Sequence, residues 1–266
     1  MNIALREISA GSAGRPDFPV RHVPYGHLPR KKLDIYLPRD GKIKATIVYY
    51  CGGGWISGVR WHYRWFGRMM ASRGFAVVVP DYRLYPQVQF PAFNEDAALA
   101  FSWVHGQVTR WGGHPSRLFV MGHSAGAHIA AMLALDPKYL LAHGLAPSAI
   151  RGLIGLAGPY TLNPLKWPGT KDVFAPAANA PETARPIKLV RADAPPMLLL
   201  HGKRDRVAGA HASEHLADAL SKAGSIARAI VYPRIGHFEI FACTLPGLRW
   251  RAPVLKDTED FIAGLV

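Results

Sequence analysis

Between Arg117 and Leu135 the chain passes with no linker from an apolar β-type run, "RLFVM", through "GHSAG" into an alanine-rich helical run, "AHIAAMLAL". A strand that feeds a helix this directly belongs to an α/β arrangement, and the same alternation recurs along the chain. Strand-like runs are "LDIYLP" (33–38), "KATIVYY" (44–50), "FAVVVP" (75–80), "RGLIGLAG" (151–158), "PPMLLLHG" (195–202) and "ARAIVYP" (227–233). The first two are separated by the turn "RDGK" and are expected to form an antiparallel hairpin. Helical stretches fall at 91–113, opened by proline and closed by glycine, at 209–224, and at the C-terminus from Val254. The expected fold class is α/β, a mostly parallel central sheet with helices on both faces and antiparallel strands at its N-terminal edge.

The 266 residues, 49% of them hydrophobic, can bury a substantial core, and no internal repeat or polar linker divides them. One domain over 1–266 is expected, with 1–30 as an N-terminal arm. The proline- and alanine-rich stretch 159–196 is the one long irregular segment, and it reads as a small lid or a pocket wall. No apolar run is long enough to span a bilayer, so stable membrane insertion is not expected. The start "MNIALREISAGSAGRPDFP" lacks a basic n-region followed by an apolar run, which points to a cytoplasmic protein. Two cysteines, Cys51 and Cys243, are too few for a disulfide framework and are not spaced as metal ligands.

The formal net charge of +14 raises nucleic acid as a partner, but affinity for phosphate requires clustering. Here "RKK" at 30–32 is the only basic triplet, and no nucleic-acid-binding signature accompanies it. A basic enzyme, or one handling acidic substrates, accounts better for the charge.

"GHSAG", Gly122 to Gly126, fits Gly-x-Ser-x-Gly. A serine nucleophile must stand clear of the sheet on a strained strand-to-helix turn, so the flanking positions need almost no bulk. The strand–turn–helix context supplies that setting for Ser124. Serine alone is a poor nucleophile and needs a base, and the base an acid to orient it. "LLLHGKRDRVAG" presents Asp205 just past an apolar strand, and "VYPRIGHFEIF" presents His237 past the next. The order Ser, Asp, His, each after a strand, is that of one triad architecture and not of the others. Asp172 and Asp193 are rivals to Asp205, yet neither follows a strong apolar strand.

Acyl transfer builds negative charge on the substrate oxygen, and one backbone N–H aimed at it lowers the barrier by about 2.7–4 kcal/mol. In "VYYCGGGWISG", residues 48–58, three glycines follow a strand at once, so main chain there can approach a substrate closely. Gly53 and Gly54 are the candidate donors, together with Ala125 after the nucleophile, and Gly52 frees the turn. The Lys-Ser/Thr of a phosphate-binding loop is missing.

With these motifs in order, the chain resembles the α/β-hydrolase superfamily, and within it the small bacterial carboxylesterases of the hormone-sensitive-lipase-like, feruloyl-esterase-like and kynurenine formamidase group. The matching blocks are "LDIYLP", "CGGGW", "VVVPDYRLYP", "FPAFNEDAALAFSWV", "GHSAGAHIAAMLAL", "ADAPPMLLLHGKRDRVA" and "GHFEIF", covering most of the chain after about residue 30. The resemblance implies an α/β-hydrolase fold, Ser124 as nucleophile, His237 as base then acid, Asp205 as its orienter, and neither metal nor organic cofactor. Cys51 stands where that group usually has histidine; a small buried residue is its expected role. Trp55, Tyr160, Trp167, Phe174 and Phe238 fall in or near the site loops, and Trp55, Tyr160 and Phe238 are the candidate pocket residues. With little room for a large lid domain, the expected partner is a small-molecule ester, short-chain or aryl. The alternative is an arylformamidase acting on N-formylkynurenine by the same chemistry. A non-catalytic binding module would have lost a member of the triad, and all three are present. A homodimer remains open at this level.

Overall fold

The computed structural model describes residues 20–266. Its strands are β1 (Val20–Pro24), β2 (Lys32–Tyr36), β3 (Ala45–Tyr50), β4 (Phe75–Pro80), β5 (Leu118–His123), β6 (Gly152–Leu156), β7 (Met197–Gly202) and β8 (Ala227–Tyr232). They form one sheet in the order β1-β2-β4-β3-β5-β6-β7-β8. From β4 to β8 the pairs are parallel, while β1 and β2 run antiparallel at the edge. This is the α/β-hydrolase architecture. The helices are α1 (Arg64–Ala71), α2 (Ala92–Gln107), α3 (Ala125–Leu135), α4 (Lys138–Leu141), α5 (His211–Lys222), α6 (Glu239–Ala242) and α7 (Val254–Ala263).

Every residue of β3, β4, β5 and β7 is buried, so these strands read as continuous apolar runs rather than alternating ones. Each large apolar side chain so buried contributes about 1.5–3 kcal/mol. β8 closes the far edge, where its exposed Arg228 blunts the unpaired side of the strand. α2 is followed by a 3-10 turn, Val108–Trp111, that stops at Gly112 in the left-handed region (φ 89°).

The expected hairpin between 33–38 and 44–50 is not formed. β2 pairs antiparallel with β4, and β4 lies between β2 and β3. The reason is burial on both sides: β3 gains parallel neighbours on each edge, β4 and β5, whereas a hairpin would leave it one edge nearer solvent. The exposed "RDGK" is the start of a connection that carries the chain past β4's position in the sheet. α1, not expected from the sequence reading although its buried Phe66, Gly67, Met70 and Ala71 recur at helical spacing, makes the crossover from β3 to β4. Of the expected N-terminal arm, residues 20–24 are β1, and 1–19 lie outside the described residues. In 159–196 there are only short 3-10 turns, and Val173, Phe174, Ala177 and Ala184 are buried.

The chain leaves β3 to one side for β4 and to the other for β5, so a crevice opens at the C-terminal ends of β3 and β5. Their register pairs Tyr50 with Gly122, which sets the glycine loop after β3 beside Ser124 after β5. The approach there is very close. A Cβ on Gly126 would lie 2.0 Å from the Tyr50 carbonyl oxygen, and one on Gly122 2.3 Å from the Gly126 carbonyl. Gly126→Ala is therefore expected to cost about 1–3 kcal/mol or more, because backbone must move. Gly106→Ala, in α2 where an added Cβ meets nothing within 4 Å, is expected to stabilise by about 0.5–1 kcal/mol. Urea midpoints of the two variants against wild type check both signs.

Candidate active site

Ser124 takes φ 54° and ψ −120°, a region that non-glycine residues occupy at a cost of about 1–3 kcal/mol. Its N–H donates to the Leu156 carbonyl at 2.9 Å and its carbonyl accepts from His128 N–H at 3.1 Å, so the turn is tied to β6 and α3. The side chain is thereby turned toward His237, whose Nε2 is 2.8 Å from Ser124 Oγ. On the other side of the ring, His237 Nδ1 is 2.7 Å from Asp205 Oδ2. A carboxylate only accepts, so Nδ1 carries the proton and Nε2 is left to accept the serine hydroxyl. The three sequence candidates thus form one hydrogen-bonded line, delivered by the ends of β5, β7 and β8. Asp193 is instead exposed and paired with Arg191, and Asp172 is exposed.

Asp205 accepts four hydrogen bonds: Val207 N–H and Ala208 N–H on Oδ1, and the rings of His237 and His201 on Oδ2. Burial pushes its carboxyl up, but the His201 and His237 bonds, the Ala208 amide and the nearby His237 charge outweigh it and hold it well below the usual carboxylate range. His123, the variable residue of Gly-x-Ser-x-Gly, is also buried. Its Nε2–H donates to the His237 carbonyl at 2.8 Å and its ring lies 4.9 Å from that of His237. Burial pulls its pKa down to about 4, so it is a neutral strut under the histidine loop. Neither His123 nor His201 was separable by sequence from the chain's other histidines, since their partners lie 114 residues away in one case and across a turn in the other.

The glycine loop adopts conformations open chiefly to glycine, φ 132° at Gly53 and 61° at Gly54. Neither Gly53 N–H nor Gly54 N–H donates to an acceptor among the described residues, whereas Gly53 carbonyl receives Ile56 N–H, Ser57 N–H and the Ser57 hydroxyl. Ala125 is the first residue of α3, where backbone N–H groups lack intrahelical partners. The loop is braced without a histidine at Cys51. Tyr82 hydroxyl donates to the Cys51 carbonyl at 2.7 Å, Gly52 N–H donates to Tyr63 hydroxyl at 3.1 Å, and Arg30 donates to Gly58 and Tyr82 carbonyls. Arg30 and Lys31 of the single basic triplet are therefore engaged internally, the latter with Asp96. Burial first, and the Asp81 charge second, push the Cys51 thiol well up, which removes its nucleophilic form.

The aromatic candidates separate. Trp55 and Tyr160 are closed off at 3% and 0% exposure, while Phe238 is 73% exposed beside His237. Trp55 packs edge-on against Phe174 at 4.9 Å and against His128 at 5.1 Å, so the segment 159–196 helps lock the glycine loop from below. Trp55 and Tyr160 are thus packing residues rather than an open pocket wall; large rings are buried wherever the core can take them. Beside Asp205 lies a cavity of about 310 Å³ lined by Pro159, Thr161, Leu162, Trp167, Val207 and His211, among others. A larger cleft, about 1020 Å³, opens at the opposite ends of the strands near Lys44, Gly74 and Arg117.

Two outcomes follow from this geometry. Asp205, with its carboxyl held low in the fold, contributes stability that is complete above the unfolded pKa of about 3.9 and is lost as pH falls below it. The difference in urea midpoint between wild type and Asp205→Asn is accordingly expected to be largest near neutrality and to shrink below about pH 4. Cys51→Ser is expected to keep most of the wild-type turnover, and a thiol reagent is expected to leave Cys51 unlabelled in the native protein, as read by mass spectrometry.

Residues 33–220 match the BD-FAE family model. A probable isoprenylcysteine alpha-carbonyl methylesterase of Oryza sativa subsp. japonica is 33% identical, the match covering 84% of this chain and 58% of that one. Esterase LipC of Mycobacterium tuberculosis is 28% identical over 83% of this chain and 58% of its own. The chain therefore spans under three fifths of the length of these curated relatives. Among solved structures, a truncated carbohydrate esterase from gut microbiota superposes with a TM-score of 0.77 at 21% identity, over 92% of this chain and 95% of that one. Apo Thermogutta terrifontis esterase 2 gives 0.77 at 24% identity, over 91% and 92%. These likenesses bear on the fold. The family match runs from the first residue of "LDIYLP" to Leu220, within the helix that follows Asp205, taking in the glycine loop and the serine turn, and the chain belongs to the BD-FAE family of α/β-hydrolase proteins.

Proposed function

We propose that this chain hydrolyses carboxylic esters through an acyl-enzyme on Ser124, with His237 as general base then acid and Asp205 as the group that orients it. The observation that carries the reading is the unbroken line from Ser124 Oγ to His237 Nε2 (2.8 Å) and from His237 Nδ1 to Asp205 Oδ2 (2.7 Å). His237 takes the serine proton as Oγ attacks the ester carbonyl. The negative charge then gathers on the substrate oxygen, where the N–H groups of Gly53, Gly54 and Ala125 are the candidate donors. Collapse breaks the C–O bond to the alcohol, which leaves with the proton from His237. Water, deprotonated by His237, attacks the acyl-serine, and its collapse frees the acid and returns the proton to Ser124. The names of the relatives, a methylesterase and an esterase, support the ester as the scissile group.

Short-chain or aryl esters are the proposed substrates, because the one long irregular segment adds only short 3-10 turns and no large lid domain. Beside Asp205, Pro159, Thr161, Leu162 and Trp167 border a cavity of about 310 Å³ that neither Ser124 nor His237 lines. The segment 159–196 serves as its wall. It is fastened by His128 Nε2–H to the Ala184 carbonyl at 2.9 Å, Phe90 N–H to the Val173 carbonyl at 2.9 Å, and Arg185 to the Thr161 carbonyl at 2.9 Å.

The test compares wild type with Ser124→Ala on p-nitrophenyl acetate, p-nitrophenyl octanoate and N-formylkynurenine. Ser124→Ala is expected to lower kcat by about ten-thousand-fold or more with the fold intact by circular dichroism. The acetate is expected to be the better p-nitrophenyl ester by kcat/KM. Wild-type turnover in Ser124→Ala refutes the mechanism, and a large serine-dependent preference for N-formylkynurenine moves the activity to formamide hydrolysis.

A further inference from the structure

We infer that His201 is a positioning residue for catalysis, holding Asp205 through the same carboxylate oxygen that holds His237, and that Ser213 holds His201 in turn. The inference rests on the ester-hydrolase reading above and extends it by two residues.

His201 sits on β7, where its backbone is paired to Val231 of β8, and its side chain is fully buried. Its Nε2 lies 3.0 Å from Asp205 Oδ2 and its Nδ1 lies 2.8 Å from Ser213 Oγ. An ionised carboxylate offers no proton, so Nε2 must carry one; in the neutral ring Nδ1 then accepts from the Ser213 hydroxyl. Ser213 is itself buried on α5, and its hydroxyl turns to His201 rather than to a carbonyl of its own helix. The result is a buried chain of donors, Ser213 to His201 to Asp205, that meets the chain from His237 at one oxygen atom.

A buried histidine with satisfied nitrogens is ordinarily plain core. What sets His201 apart is convergence. Asp205 has about four lone-pair sites, and two backbone amides and two imidazoles fill them. No acceptor is left for water, and the carboxylate cannot rotate without breaking a bond to a fixed element. His201 also draws electron density from Oδ2. Removing that donor leaves Oδ2 more basic, which strengthens its hold on the His237 Nδ1 proton and favours the charged imidazolium. The sign follows: without His201 the acid limb of kcat/KM moves up.

The other ionisable and charged groups around His237 do not supply this effect. His123 of β5 faces its ring but is kept neutral by burial. Glu239 of α6 accepts Gly236 N–H and pairs with Arg251, with Arg204 nearby, on the outer side of the loop. Among the described residues, only His201 reaches the oxygen that His237 uses.

The experiment measures pH profiles of kcat/KM on p-nitrophenyl acetate for wild type, His201→Leu, His201→Gln and Ser213→Ala, with Ser124→Ala as the control. His201→Leu is expected to lose about ten-fold in kcat near neutrality and to shift the acid limb upward by roughly half a pH unit. His201→Gln, whose amide can place an N–H near the old Nε2, is expected to restore most of both. Ser213→Ala weakens the His201 donor without removing it, so its limb shifts in the same direction by less. A folded His201→Leu protein whose acid limb coincides with wild type overturns the inference. Where that variant does not fold, an unshifted limb in Ser213→Ala does so. Hydrolysis that survives Ser124→Ala overturns the ester-hydrolase reading itself, a result distinct from an unmoved limb.

Discussion

The contact on which the rest of the site depends is backbone against backbone, where α3 enters beneath the end of β3. Gly126 stands so close to the Tyr50 carbonyl that a single added carbon would overlap it, and Gly122 stands in the same relation to Gly126. Because β3 and β5 pair in parallel with Tyr50 opposite Gly122, the glycine loop and the serine turn leave the sheet side by side. The unusual backbone at Ser124 is held by this crowding, by the Leu156 carbonyl and by the first turn of α3. Strain of this kind persists only where surrounding structure over-determines it.

Charge in the triad is handled by saturating one buried carboxylate. Asp205 is stabilised as an anion by four donors and therefore acts as a fixed acceptor. The Cys51 thiol is pushed the other way by burial, which disfavours its thiolate and agrees with Ser124 as the proposed nucleophile. Elsewhere Arg83 grips Asp96 with two side-chain bonds and Arg60 bridges Asp34 and Asp81, tying the loops after β4 and before α1 to the edge of the sheet. Such pairs hold loop geometry near the crevice.

Much was legible along the chain because the signals are local. Apolar runs mark the buried strands, Gly-x-Ser-x-Gly marks a turn that tolerates no side chain two residues to either side of the serine, and Asp205 and His237 each follow a strand end. Where a feature depended on residues distant in sequence, local reading failed. The supposed hairpin failed because β4, some thirty residues on, occupies the place beside β2. Trp55 and Tyr160 were legible as aromatics near the site but not as buried ones, since Trp55 is covered by Phe174 and Phe93 from other segments and Tyr160 lies against Gly155 of the central sheet.

By itself, then, the sequence determined most of the element types, the α/β class, and the order of the candidates Ser124, Asp205 and His237, because periodicity, turn chemistry and strand ends are written within short windows. Only the tertiary structure decided the strand order, the bracing of the glycine loop by Tyr63, Tyr82 and Arg30, and the second histidine on Asp205. Those depend on which surfaces can be buried together. Packing of the whole sheet settles that, and no short stretch of residues carries it.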